Sequence, residues 1–432
     1  VRTNIGKFVK SILRTDTLRQ SAITFSGTFV NGVLGAAFYI LSARFLGPSS
    51  YGVMMLSVAT LTLVSDIADL GTNTGLVRFV SEHIKNDKDK AYRFLKLGLE
   101  VKIVLLIVFL VLGLLISPFL AEKIFLKSEM TNYLRIAFLG VGSMLLFTFV
   151  ISALQSLQKF WVWSGVQVGA NMARLIFLLV LFLLGSLDTS SNLVIYILSP
   201  LLGFILGMFF IGVDFLKVKG ESRISKEFFS YNKWVALSSL VSAFGARIDT
   251  FITGRLLTSF DLGIYSAANQ LVQIVPQIVV AVSTVIAPKM AAMGTMEDFI
   301  SYLKKVQAFV SALVFAGALS IPFIIFIVPF LFGEQYLSVI PVFVVLMFAM
   351  LIFLFSVPIH VSIFYYFSRP DVFLWLGLIH LSLVSITSWR LIPIFGSVGA
   401  GWAVLLGQVV NFTIPLVWII KKIGWKSLVR YV

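Results

Sequence analysis

Apolar residues fall in long blocks, such as Ile103 to Ile116, Leu175 to Leu184 and Val306 to Phe332, separated by short polar punctuation. With their flanks these blocks are long enough to cross a hydrocarbon layer of about 30 Å. Lipid offers no partner to the backbone of an open strand, so the blocks are predicted to be helices. At about 20 residues each, twelve spans are placed near 20–44, 50–71, 98–120, 131–156, 162–186, 191–213, 234–256, 262–287, 306–331, 336–366, 371–393 and 397–420. Three connections are longer and charged: Thr72 to Leu97, Asp214 to Lys233 and Pro288 to Lys305. Ahead of the first span, Arg2, Lys7, Lys10 and Arg14 surround Ile5, Phe8, Val9, Ile12 and Leu13. Residues 1–19 are therefore expected to form a basic amphipathic helix on the membrane surface, without the small-residue cleavage site of a signal peptide.

Composition makes lipid the main solvent of the chain. Its 432 residues are 59% hydrophobic and 12% charged, with a mean hydropathy of +1.00. There is no cysteine, and His83, His360 and His380 are scattered, so neither a metal nor another cofactor is expected. The net charge of +15 lies between apolar spans, where it sets topology and does not point to nucleic acid. About 25 of the 34 Lys and Arg fall on the side of the N-terminus; about five, namely Arg44, Lys123, Lys127, Arg255 and Arg390, fall on the other. Both termini are accordingly predicted to be cytoplasmic in a multi-pass cell-membrane protein.

The chain repeats itself at an offset of about 211 positions. Arg44-Phe45-Leu46 is followed by Gly52 six residues after the leucine; Arg255-Leu256-Leu257 is followed by Gly263 at the same interval. Pro118-Phe119-Leu120 matches Pro329-Phe330-Leu331, and Arg78 falls opposite Lys289. Three collinear matches predict a duplicated six-helix unit, hence an all-α polytopic protein of two lobes related by a pseudo-two-fold axis along the membrane normal. The expected parts are an N-lobe at 20–213, a cytoplasmic linker at 214–233, a C-lobe at 234–420 and a basic cytoplasmic tail at 421–432.

The turn Arg44-x-Leu46-Gly47-Pro48-x-x-Tyr51-Gly52, and Asp69-Leu70-Gly71 followed by Arg78 and a charged helix from Phe79 to Lys90, resemble the Wzx-type polysaccharide flippases. Those proteins share a superfamily with lipid II flippases and multidrug extruders. The resemblance implies translocation of undecaprenyl-pyrophosphate-linked oligosaccharide from the cytoplasmic to the outer leaflet. It also implies alternating access driven by an ion gradient, H+ or Na+, with membrane lipids and other polysaccharide-assembly proteins as partners.

Ionisable groups inside spans are costly, roughly 3 kcal/mol or more each, so each needs a partner or a cavity. In the fifth span Ser164, Gln167, Asn171 and Arg174 share one helical face. They form either a polar wall with a guanidinium suited to pyrophosphate or a packing face within a lobe. In the seventh, Arg247 and Asp249 stand two apart on what is read as one continuous helix, roughly 200° from one another, so each needs another partner. The resemblance makes Arg247 a candidate anion contact and Asp249 a candidate coupling site; an interhelical structural pair is the alternative. In the eighth, Asn269, Gln273 and Gln277 recur every fourth residue, an amide stripe for sugar hydroxyls or for helix contact. Asp66 and Asp69 end the second span, either pairing with Arg78 or capping the next helix, or taking part in ion coupling. Arg44 and Arg255 occupy equivalent outer positions, as a cationic gate over substrate or as headgroup anchors. His380 and Arg390 are read as structural or lipid-facing.

Two other functions compete. A drug or metabolite extruder would favour an acidic, aromatic cavity, against Arg174 and Arg247 here. A membrane-embedded glycosyltransferase or polymerase needs a sizeable outer domain and a catalytic carboxylate, and the predicted outer loops are short. No Walker sequence is present, so energy must come from a gradient.

Overall fold

The computed structural model describes residues 16–423, all of whose regular elements are helical. The surface helix expected at 1–19 and the basic tail at 421–432 lie mostly outside them. The helices are α1 (Asp16–Ala68), α2 (Thr72–His83), α3 (Lys88–Phe119), α4 (Thr131–Ser156), α5 (Phe160–Leu183), α6 (Thr189–Ile211), α7 (Ser222–Gly245), α8 (Ile248–Leu256), α9 (Ser259–Val272), α10 (Ile274–Ala291), α11 (Met296–Ser320), α12 (Ile324–Phe332), α13 (Val339–Val361) and α14 (Asp371–Ile423).

Among the described residues nine helical stretches are long and apolar enough to cross a membrane, and the count rises to ten when the bent pair α7 and α8 is taken as one span. Two of these, α1 and α14, are 53 residues long, far more than the 20 or so a bilayer needs. Each is interrupted once. Gly47 has φ 75° and ψ 166°, and Gly396 has φ 59° and ψ −140°. Both conformations are open only to glycine, and Pro48 follows the first break. Dividing α1 and α14 at these glycines yields the twelve segments predicted, with breaks close to the expected 44/50 and 393/397 boundaries.

The chain forms two compact units. The first holds the chain up to Phe45 and Ser57–Ala243; the second holds Leu46–Leu56 and Phe244–Val432. In the first, α4 packs against α2, α3 and α6. The amphipathic α2 buries Thr72, Gly75, Leu76, Phe79 and Val80, the i, i+3, i+4, i+7, i+8 face of a helix. That face enters a core with Phe94, Leu95, Phe149, Ala153, Phe215 and Phe228, where the Phe79 and Phe94 rings stack at 4.7 Å. A charged helix running from Phe79 to Lys90 is not formed. α2 ends at His83, and Asp87, whose carboxylate accepts from the Lys90 amide at 2.9 Å, caps the start of α3.

In the second unit α13 packs against α9, α10, α11 and α14. Here the repeat becomes physical. A Cβ on Gly52 would lie 2.0 Å from the Ser259 carbonyl, and one on Gly263 would lie 1.9 Å from the Pro48 carbonyl. Gly52 and Gly263 are 211 positions apart, as are Pro48 and Ser259. The two copies of the motif therefore meet reciprocally, each glycine admitting the first turn of the other's helix. Tyr51, fully buried, meets the Tyr336 ring edge-on at 6.5 Å beside this contact.

Candidate functional site

In the first unit the polar face of α5 turns towards α1 and α6. α1 passes so close that a Cβ on Gly27 would lie 2.4 Å from the Ser164 hydroxyl. One turn on, Gln167 bonds its own helix at Trp163 O, 3.4 Å away. Asn171 donates to the Asn31 side chain, leaving its own Oδ1 buried without a partner. Arg174 lies over Tyr196, 4.4 Å from the ring centre, and 5.3 Å from that of Phe38. Tyr196 is itself fixed by a 3.1 Å hydrogen bond from the Tyr39 hydroxyl. The Arg174 Nε is buried with no hydrogen-bond partner. No carboxylate pairs with Arg174 among the described residues. A guanidinium held on aromatic faces with a donor unspent is suited to an anion or a polar ligand.

The acids at the end of the second span separate. Asp69 does not pair with Arg78. Its carboxylate accepts from Lys102, whose side chain is 0% exposed, and from the Thr72 hydroxyl at 3.1 Å. The turn at Leu70 (φ 49°) and Gly71 (φ 72°) carries the chain away into α2. Arg78 instead lies 4.2 Å from the Tyr231 ring centre. Asp66 is exposed.

In the second unit the seventh span is not one helix. Arg247, at φ −138° and ψ −2°, stands at the break before α8, so the expected angular separation from Asp249 does not apply. Asp249, in the first turn of α8, accepts a hydrogen bond from the buried Tyr265 hydroxyl of α9. Its own carbonyl accepts from Thr253 at 2.7 Å. The amide stripe is also broken: α9 ends at Val272 and α10 begins at Ile274. Gln273 reaches back to Asn269 at 3.3 Å, and both Gln273 and Gln277 are exposed. Arg255 is half-buried, 5.7 Å from the Trp389 ring centre, and Arg44 is exposed. His360 Nε2 sits 2.9 Å from the Asn411 carbonyl, a link within the unit's core. No group of three metal-ligating side chains occurs among the described residues.

Residues 17–294 match the polysaccharide biosynthesis protein family. The chain belongs to that family. Its fold is that of the MOP superfamily of transporters. An inward-facing multidrug resistance MATE transporter of that superfamily aligns over 93% of this chain and 96% of its own at a TM-score of 0.72 and 13% identity. The lipid II flippase MurJ in an inward closed conformation aligns over 94% and 91% at 0.71 and 16% identity. A MOP superfamily transporter from Pyrococcus furiosus aligns over 94% and 95% at 0.60 and 12% identity. Comparison with curated protein sequences gives no match.

Three partners in this polysaccharide biosynthesis family member escaped the sequence reading. Lys102 is a lone lysine just inside an apolar run, which was the available signal. Tyr265 and Tyr196 look like ordinary core aromatics, and only the fold puts a hydroxyl or a ring face against a charge.

Proposed function

We propose that this protein is a flippase that carries a polyprenyl-pyrophosphate-linked oligosaccharide from the cytoplasmic to the outer leaflet by alternating access. Membership of the polysaccharide biosynthesis protein family supports the substrate class, and a fold shared with a lipid II flippase is compatible with a lipid-borne cargo. The observation that carries the reading is Arg174: an intramembrane cation mounted on Tyr196 and Phe38, with a buried unpaired Nε and no carboxylate partner among the described residues. Such a group attracts an anionic headgroup and repels the organic cations an extruder would take. Asn171 adds an unspent acceptor one turn away for a sugar hydroxyl.

Arg247, at the break before α8 of the second unit, is assigned to anion contact on the family resemblance. Asp249 is assigned to ion coupling, because its hydrogen-bond partner is a neutral phenol and its charge is open to neutralisation by a proton. Both termini are assigned to the cytoplasm on the distribution of Lys and Arg.

The test is translocation of a fluorescent polyprenyl-pyrophosphoryl oligosaccharide in proteoliposomes, beside export of an organic-cation dye. Arg174→Leu is expected to reduce lipid translocation at least about tenfold, the loss of one charge-assisted contact, with the protein still monodisperse. Dye export that persists in the variant, with no lipid translocation by the unaltered protein, would establish the extruder instead.

A further inference from the structure

Away from Arg174, α2 and α4 of the first unit line an open cavity of about 390 Å³ bordered by Asn73, Thr74, Val77, Arg78, Ser152 and Gln155. That volume lies within the range of small-molecule sites, roughly 300–1,000 Å³. Every lining side chain except Val77 carries a hydrogen-bonding group. Asn73 and Val77, like Thr74 and Arg78, are four apart on α2, and Ser152 and Gln155 are three apart on α4, so each helix presents one face. The opposite face of α2, with Leu76, Phe79 and Val80, is spent in the core. A 3.2 Å bond from the Ser81 hydroxyl to the Ser156 carbonyl fixes the two helices together below the cavity.

The lining mixes apolar surface with polar groups, of which Thr74, Arg78 and Gln155 are exposed to solvent. Asn73 Oδ1 is buried without a hydrogen-bond partner. Arg78 rests on the Tyr231 ring and has no ion-pair partner among the described residues. The acids nearby are engaged elsewhere: Asp69 with Lys102, Glu227 with Lys90 at 3.6 Å and Glu221 with Arg93. Glu82, one turn beyond Arg78, is exposed and takes no part in an ion pair among the described residues. The charge on the lining is that of Arg78, an exposed guanidinium already oriented by stacking and so losing little freedom when an anion arrives.

We propose that this cavity binds the phosphoryl-sugar headgroup of the lipid-linked substrate, apart from the Arg174 site. Arg78 takes phosphoryl oxygens. Asn73, Thr74, Ser152 and Gln155 take sugar hydroxyls, which need donors and acceptors together. The identity of the headgroup rests on the flippase reading; the existence of the site does not. On the charge distribution that puts Thr72 to Leu97 in the cytoplasm, the cavity faces the leaflet where such a substrate is made.

The absence of cysteine makes a direct test simple, since Val77→Cys introduces a single thiol into the lining. In zwitterionic nanodiscs, a ten-carbon polyprenyl-pyrophosphoryl hexose is expected to slow maleimide labelling of Val77→Cys several-fold. Adding Arg78→Gln should remove the protection, and Arg174→Leu should leave it intact. Calorimetry on the chain without the reporter is expected to show the same probe binding at least about tenfold more weakly to Arg78→Gln, with Arg78→Lys intermediate as a folded control.

Unprotected labelling together with unchanged affinity in Arg78→Gln would overturn the proposal. Equal protection by inorganic pyrophosphate would overturn the sugar component, and equal protection in phosphatidylglycerol nanodiscs would make the cavity a phospholipid site. Translocation that depends on Arg174 while the cavity stays unprotected would sink this site and leave the flippase reading standing. Protection without translocation would do the reverse.

Discussion

Asp69, in the turn after α1, and Asp249, in the first turn of α8, are carboxylates at helix ends, one in each compact unit, and they are neutralised in different ways. Asp69 accepts from a fully buried ammonium, Lys102, and from the Thr72 hydroxyl. Asp249 accepts from a phenol, Tyr265, and also feels the charge of the Arg247 guanidinium. An ion pair removed from water is a closed arrangement, since losing either charge strands the other. A carboxylate facing a hydroxyl is open, because adding a proton to it leaves the neighbour unharmed. The first acid is therefore placed to hold α1 and α3 together, and the second to change charge during a cycle. Sequence position alone made them look alike.

The largest effect that separates them is in stability. Lys102→Met should strand Asp69 and cost about 3–5 kcal/mol, read as a fall in thermal midpoint in detergent, and adding Asp69→Asn should recover most of it. A single variant as stable as the parent would remove the closed role of the pair. Next, Tyr265→Phe should cost less, about 1.5–3 kcal/mol, and should alter the dependence of transport on an imposed proton gradient. Asp249→Asn should keep the fold, retaining an acceptor for Tyr265, and abolish that dependence; a gradient response that survives would move coupling elsewhere. The smallest effect belongs to the exposed pair Lys217 and Asp214, 2.7 Å apart. The Lys217 ammonium holds the Asp214 carboxyl below its ordinary value, so whatever it contributes is present above the usual carboxylate range and lost as pH falls through it. Solvent leaves that contribution near nothing, and Lys217→Ala should not shift the thermal midpoint measurably at neutral pH.

The twelve segments and the repeat were legible because hydrophobic blocks and glycine spacing are local properties. Gly47 could be read as a break from the Pro48 that follows it. The Arg247 break had a weaker signal, Gly245 at the end of α7 with no proline beside it. The polar face of α5 is legible as a face, but its partners required the fold: Asn31 on α1 lies 140 positions from Asn171, and Tyr196 on α6 lies 22 from Arg174. For Asp69 the sequence left pairing with Arg78, capping of the next helix and ion coupling all open, because Lys102, its partner, is 33 positions distant and only the fold brings it there. Cation–π contacts leave no sequence signature at all, which is why Arg78 and Arg174 were visible only as charges without an address.

The reciprocal fit of Gly52 on Ser259 and Gly263 on Pro48 has an evolutionary consequence. A contact in which each partner offers the other the same surface is isologous, the kind made across the axis of a homodimer. Two identical six-helix polypeptides carrying this glycine and this helix start would form it without any fused chain. At the offset of 211 one copy carries Gly47 and Pro48 at its turn and the other Thr258 and Ser259, so the joint accommodates different turn residues around the same pair of glycines.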